Sequence, residues 1–248
     1  MNNTKAIFVK QMQSLIRNPG LIVQGIIFLI IALAFSFLLG LIDNEPCDDC
    51  ITAYVCEVCA ENDPFANTPD PSLPGLFAMV FVGLALVGSS SAMVLEDKKT
   101  QNLRFMVMAG MKPHQYLPGT AAALFIVTFV IILLFSISGG YFGMQMVRFV
   151  GITMFGALVS TLLGIALGLN KYPVIATPIS ILLGFGPMLS TFNQTLARYL
   201  RFLYTQQINL AVSDLDADLT SNFAIIGING LVVFALFVWI HRKGELRW

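Results

Sequence analysis

Six stretches of this chain are continuously apolar for about 20 residues each: 21–42, 73–95, 118–139, 149–169, 173–192 and 222–240. At about 1.5 Å of rise per residue, a helix of that length matches a hydrocarbon core about 30 Å thick. The runs do not alternate between apolar and polar, which disfavours a β-barrel. Ahead of the first run the pattern changes. Phe8, Met12, Leu15 and Ile16 fall at i, i+4, i+7 and i+8, while Lys10, Gln13, Ser14 and Arg17 take the opposite face, and Asn18-Pro19-Gly20 stops the period. Residues 1–20 are thus expected to form an amphipathic helix in the membrane interface, either as an anchor or as a lever joined to the first span. The first apolar run is too long for a signal-peptide core and no small-x-small cleavage site follows it, so it reads as a span. The expected fold is an all-α integral membrane protein, one domain over 1–248 with six transmembrane helices.

Composition agrees with this reading. Hydrophobic residues make up 56% of the chain and charged residues only 11%, against about 25% charged in soluble domains. The net charge is zero, so nothing suggests a nucleic-acid partner. Charge matters here by position. With a cytoplasmic N-terminus, six spans place Lys5, Lys10, Arg17, Lys98, Lys99, Arg104, Lys112, Lys171, Arg242, Lys243 and Arg247 on one face, eleven of the 14 basic residues. Arg148, Arg198 and Arg201 remain on the other, with eleven of the 14 acidic residues. By the positive-inside rule both termini are expected in the cytoplasm.

The spans as drawn contain no Asp, Glu, Lys, Arg or His. A buried ionisable group is the usual mark of an ion site or proton relay, so ion-coupled transport is disfavoured. An intramembrane hydrolase is disfavoured too, because His114 and His241 lie at span edges and no base is at hand for Gly88-Ser89-Ser90-Ser91. That run, and Ser160-x-x-x-Gly164-x-x-x-Gly168, read as small-residue ridges for close helix packing. Gly184-Phe185-Gly186-Pro187 predicts a kink or unwound turn in the fifth span, which either opens a path or re-aims the helix.

The segment 96–117 between the second and third spans begins with charge, continues as a short apolar helix former through Leu103, Phe105, Met106 and Met108, and breaks at Gly110 and Pro113. Such a helix needs a partner or the lipid surface to cover it, and its methionines suit an adaptable contact. With six spans and an amphipathic N-terminal helix, the arrangement Leu-x-x-Met-x-x-Ala-Gly-x-x-Pro-x-x-Tyr-x-x-Gly resembles the permease subunit of type-2 ABC transporters, exporter class. In that family the loop resembles E-K-x-x-G-T-x-x-x-L…P…Y-x-x-G-K and docks on the ATPase subunit. Glu96, Lys98, Thr100, Leu103, Pro113, Tyr116 and Gly119 match in type and order, whereas Lys99 stands where glycine is frequent and Thr120 where lysine often follows. The resemblance implies an ATPase-coupling role for this loop, including Arg104, Phe105, Met106, Ala109 and Gly110. It also implies a partner ABC ATPase, a second permease copy as homodimer or close heterodimer, and surrounding membrane lipid, in a bacterial plasma membrane. The chain carries no G-x-x-x-x-G-K-[ST], so ATP and Mg are expected in the partner and no enzyme activity or cofactor in this chain. The implied function is outward movement of an amphipathic peptide, lipid or drug by alternating access. The competing reading is a non-transporting immunity or sensor protein that binds an extracellular peptide through its outer loop.

On the outer side the family resemblance implies short helices before the last span, here a hairpin over 193–221. Leu196, Tyr199, Leu200, Leu203 and Leu210 recur at helical spacing with Arg198, Arg201 and Thr205 elsewhere. Asp214-x-Asp216-x-Asp218 starts like a calcium loop but fails at Leu219 and Ile225, and reads instead as a solvated cap on the sixth span. Asn193-Gln194-Thr195 is a sequon. The outer loop 43–72 holds every cysteine: Cys47, Cys50, Cys56 and Cys59. The gap between the pairs is short for a zinc ribbon, and this side is oxidising, so two disulfides are favoured over zinc, with Cys47–Cys59 and Cys50–Cys56 as the suggested nesting.

Overall fold

The computed structural model describes residues 3–17, 19–42, 73–102, 108, 113–170, 173–192, 194–215 and 218–242, and among these every regular element is helical. Helix α1 covers Asn3–Arg17 and α2 Gly20–Ile42. Helix α3 runs from Leu73 to Lys99 with a π-helical stretch at Phe81–Leu86. Next come α4 (Pro113–Ser138), α5 (Met144–Leu169), a 3-10 turn (Pro173–Ile175) and α6 (Ala176–Phe192). Two short helices, α7 (Gln194–Leu200) and α8 (Tyr204–Ser213), precede α9 (Thr220–Arg242).

Among the described residues five helices are long and apolar enough to cross a membrane: Gly20–Leu38, Leu73–Lys99, Pro118–Ser138, Met144–Leu169 and Thr220–Val238. The expected fifth of the six spans is α6, whose 17 residues reach only about 26 Å. Two span boundaries also move. Helix α3 continues past Leu95 and carries Glu96, Asp97 and Lys98 in its last turn, while α5 begins early enough to contain Arg148. Hydropathy ends at the first charge, but helical geometry does not, provided the charge finds a partner. The Arg148 guanidinium donates to the Leu215 carbonyl at 2.6 Å.

Helix α3 is the centre of the bundle, with residues 74–83 wholly buried. Around it α2 and α9 present exposed side chains such as Ile30, Phe37 and Leu231, as suits helices whose outer faces meet lipid. The small-residue ridges pack closely as expected, and they do so against each other: a Cβ on Gly164 would collide with Ser90 Oγ and lie 2.6 Å from the Val87 carbonyl, and one on Gly168 would lie 2.7 Å from the Ser91 carbonyl. Ser90 turns its hydroxyl back to the Leu86 carbonyl at 2.7 Å, so it packs without exposing an unmet donor.

Of the kink or unwound turn expected in the fifth span, the unwound turn is absent. Helix α6 is continuous across Gly184–Pro187, and the irregular backbone lies across from it in the π-helical stretch of α3. Pro187 has no N–H, so the Leu183 carbonyl loses its helical donor. That carbonyl would lie 2.5 Å from a Cβ on Gly83, and a Cβ on Gly184 would lie 2.7 Å from Leu84 Cβ. Two glycines therefore let the helices touch where each is irregular.

On α1, Phe8, Met12 and Leu15 pack against the core as expected and Ile16 does not, while the apolar face of the hairpin is corrected at Tyr199 and Leu210. Helix α1 buries Ile7, Gln11 and Leu15 and leaves Ile16 70% exposed, because it docks on protein along a face that includes a glutamine. Helix α8 buries Thr205, Gln206, Gln207 and Asn209 and exposes Leu210, and Tyr199 of α7 is also exposed. The reason is tertiary: Ser190 donates to Gln206 Oε1 at 2.7 Å, Gln207 Nε2 donates to the Arg201 carbonyl, and Tyr204 shares a hydrogen bond with Ser160 at 2.7 Å. Asp218 accepts from the Thr220 hydroxyl and N–H at 2.6 and 3.0 Å, which holds its carboxyl below the usual range and caps α9 as expected.

Gly164→Ala and Gly168→Ala are each expected to cost about 1–3 kcal/mol through overpacking and to lower the unfolding midpoint in detergent. Gly151→Ala, on the same helix with nothing near its Cβ position, is expected to leave the midpoint unchanged.

Candidate functional site

The segment 100–112 joins the end of α3 to the start of α4 in the sequence. At its base lies a carboxylate that the span boundaries drawn from sequence had left outside the membrane helix. Asp97 is 6% exposed, and a buried carboxylate is tolerated only when its lone pairs are met. Its Oδ1 accepts from Lys10 Nζ at 2.7 Å, and its Oδ2 accepts from Gln11 Nε2 at 2.8 Å and Tyr116 OH at 2.9 Å. The donors come from α1 and α4, so one side chain fastens three helices.

Apolar packing backs the polar contacts. Tyr116, Ile7, Val94, Ile165 and Leu169 form a small buried cluster, which brings in α5. Gly119 lies one turn beyond Tyr116, and a Cβ there would sit 2.9 Å from Ile7 Cβ and 3.1 Å from the Thr4 carbonyl. Tyr116 and Gly119 therefore share one face of α4, offering a donor and a gap to the same helix. Burial, and after it the adjacent Asp97 charge, push the Tyr116 phenol far above its ordinary range. It stays protonated and remains a donor at any physiological pH.

The other matched residues take distinct places. Lys98 Nζ donates to the Leu169 carbonyl at 2.5 Å and to the Asn170 carbonyl at 3.3 Å, placing a cation on the carbonyl end of α5 where the helix dipole favours it. Thr100 Oγ1 donates to the Glu96 carbonyl at 2.8 Å, and Gln101 adopts a left-handed φ of 54° that ends α3. Glu96 faces outward beside α1, where it lines a cavity with Lys10, Gln13, Ser14 and Arg17. Pro113 begins α4, a position that suits a residue without an N–H. Met108 is exposed. Leu103, Arg104, Phe105, Met106, Ala109 and Gly110 lie outside the described residues, as do Cys47, Cys50, Cys56, Cys59, Asn193 and Asp216. Among the described residues no group of three or more His, Cys, Asp or Glu is placed to hold a metal.

Sequence reasoning missed Asp97, Gln11 and the docking role of Lys10. Asp97 looked like loop charge because it follows the last apolar residue of the span, and nothing local pairs it with residues 86 and 87 positions earlier. The only signal was Gln11 on the same helical face as Ile7 and Leu15, a polar residue in line with apolar ones.

Tyr116→Phe leaves one oxygen of Asp97 short of a donor and is expected to cost about 1–2 kcal/mol. Asp97→Ala strands Lys10 and Gln11 together and is expected to cost about 2–4 kcal/mol. Because both act on one knot, the double variant should lose less than the sum of the single losses, measured by thermal unfolding in detergent. Asp97→Ala should also speed proteolytic cleavage between α1 and α2.

No curated protein and no solved structure matches the chain. The family model for the ABC-2 type transporter matches residues 2–205. With five membrane-length apolar helices and that match over most of its length, the chain belongs to the ABC-2 type transporter family and is a multi-pass membrane permease of an ABC transporter.

Proposed function

We propose that this permease is one of two membrane subunits of an ATP-driven exporter. It has six spans, counting α6, and both termini in the cytoplasm. A separate ATPase, holding ATP and Mg, docks on the 96–117 loop. Closure of the ATPase pair pushes the loop, and the tilt of α3 and α4 opens a path between two permeases for an amphipathic peptide, lipid or drug. ATP hydrolysis belongs to the partner, and this chain carries no catalytic step.

The observation that carries the reading is the knot at Asp97. Both ends of the loop, at Asp97 and Tyr116, bind the same carboxylate system. The loop therefore stands on a closed base that also grips α1, and Lys98 extends the grip to α5. A push on such a loop moves helices rather than being absorbed by slack chain. The basic residues collected at this end support a cytoplasmic placing, and the absence of a phosphate-binding motif in the sequence supports an external source of work.

The test uses the permease purified with its partner ABC ATPase and reconstituted in vesicles. The permease should stimulate ATP hydrolysis, and Phe105→Asp and Met106→Asp should abolish that stimulation without lowering the basal rate of the ATPase. Indifference of the ATPase to the permease overturns the reading. For the outer loop, peptide mapping without reduction should recover Cys47 joined to Cys59 and Cys50 to Cys56, and stoichiometric zinc in the purified protein would replace that pairing.

A further inference from the structure

The hairpin of α7 and α8 dips between membrane helices instead of lying across their ends. Asn229 stands nine residues into α9, and its Nδ2 donates to the Phe202 carbonyl at 2.9 Å. At about 1.5 Å per residue, the turn between α7 and α8 sits about 14 Å along a membrane-length helix, near the middle of a core about 30 Å thick. Helix α5 gives the same level. Tyr204, at the start of α8, meets Ser160 deep in α5, whereas Leu215, beyond the end of α8, meets Arg148 in the first turns of α5. Helix α7 comes back along α6 and sets Leu200 against Gly186, where a Cβ would lie 3.3 Å from Leu200 Cδ1.

The tip of the hairpin is fastened through its backbone. Three consecutive carbonyls accept hydrogen bonds: Leu200 from the Leu203 N–H at 2.8 Å, Arg201 from Gln207 Nε2 and Phe202 from Asn229. The side chains around them are left outside, with Tyr199 78% and Phe202 75% exposed and Arg198 and Arg201 exposed beside them. Among the described residues neither guanidinium has an ion-pair partner. Exposed aromatics suit lipid at this depth, but exposed cations do not. A bare arginine in hydrocarbon is costly and persists where it meets water, a polar cavity or an anion. Snorkelling alone falls short, because the side chain spans only about half the depth to be crossed. Arg201 also lines a cavity of about 300 Å³ that leads between α8 and α9 to Asp214 and Asp218, the latter held by Thr220. A ligand that meets both features of the tip carries an anion for the guanidiniums and an acyl tail for the aromatics. Phosphate fits the first part, since guanidinium donors pair with its oxygens two at a time.

We propose that the tip of this hairpin holds the phosphate of an anionic phospholipid, drawn into the half of the membrane remote from the 96–117 loop. Arg198 and Arg201 take the phosphate, and the acyl chains lie along Tyr199 and Phe202. The site stands at the level of the least regular packing in the bundle, because Gly186 lies just beyond Gly184, whose Cβ position meets Leu84 in the π-helical stretch of α3. Its occupant therefore bears on the contact of α3 with α6. The proposal rests on the membrane placing of the chain and not on the exporter reading, so either can fail alone.

Native mass spectrometry of the full chain in an uncharged detergent, titrated with phosphatidic acid or with diacylglycerol of identical acyl chains, tests it. Phosphatidic acid should be retained about tenfold more tightly than diacylglycerol, as suits a phosphate held by two guanidiniums. Arg198→Gln combined with Arg201→Gln should remove that preference, and Arg198→Lys combined with Arg201→Lys should keep part of it. The thermal midpoint should not move in either pair, since both side chains are exposed. Arg17→Gln, which removes an exposed cation at the other end of the bundle, should leave the preference intact. Glycerol 3-phosphate, an anion without a tail, should not displace the lipid even in large excess. Equal retention of the two lipids, a preference that survives the paired glutamine variant, an equal loss with Arg17→Gln, or displacement by glycerol 3-phosphate overturns the proposal.

Discussion

One buried carboxylate sets the terms for the loop-bearing end of this protein. A charge at the end of a membrane helix is costly to bury, and Asp97 is accommodated only because two helices supply three donors to it. That requirement fixes α1 against the bundle with Gln11 facing inward. It also fixes the first turn of α4, because Tyr116 must reach the same oxygen pair. The apolar contacts around Tyr116 then exclude water from the knot, which strengthens each bond within it.

The far end of the bundle is held by different chemistry. There the links include hydrogen bonds between neutral side chains, Ser190 to Gln206 and Tyr204 with Ser160, and bonds to backbone carbonyls: Arg148 to Leu215, Asn222 to Gln207 and Asn229 to Phe202. Each ties one helix to the hairpin of α7 and α8 or the loop after it, and none joins three elements at one atom pair. The polar interior of the helical hairpin is satisfied at most of its side chains, the buried Thr205 hydroxyl excepted, and is fastened to its neighbours piecewise. The loop-bearing end is fastened at one point.

Much of this was legible in the sequence, for physical reasons that also mark the limits. Continuous apolar runs located α2, α3, α4, α5 and α9, because in a bilayer only helices satisfy the backbone. Small residues marked α3 and α5 as closely packed helices, because only such residues let backbones approach closely, but which helix each meets was not legible. Boundaries were less legible, since Asp97 and Arg148 sit inside helices by virtue of partners far away in sequence. Gln11 and Ile16 of α1 and the inward face of α8 were misjudged on the same ground. Gln11 and Gln206 are inside because Asp97 and Ser190 are there to meet them, and a hydrophobicity pattern cannot see a partner. Among the site residues, Tyr116 and Gly119 were matched by resemblance to a family loop, and the structure supplies the reason they stand a turn apart: both serve the docking of α1.

These features together locate where the bundle can yield. A load entering through the loop reaches the end of α3 and the start of α4, which are tied to one carboxylate and to α1 and so move together. Lys98 on the α5 carbonyls and the Ser90 and Ser91 contacts with Gly164 and Gly168 extend that unit along α5. Further along α3 the regular helix stops at Leu86, where the π-helical stretch faces α6 at Gly83 and Leu183. A π turn has a poorer bond pattern than an α turn, and Pro187 removes a bond from the facing helix at the same level. The two weakened turns touch through glycines rather than interlocked side chains. The structure thus couples a stiff end to a compliant middle, and motion received at the loop is expected to bend α3 there in preference to breaking the knot.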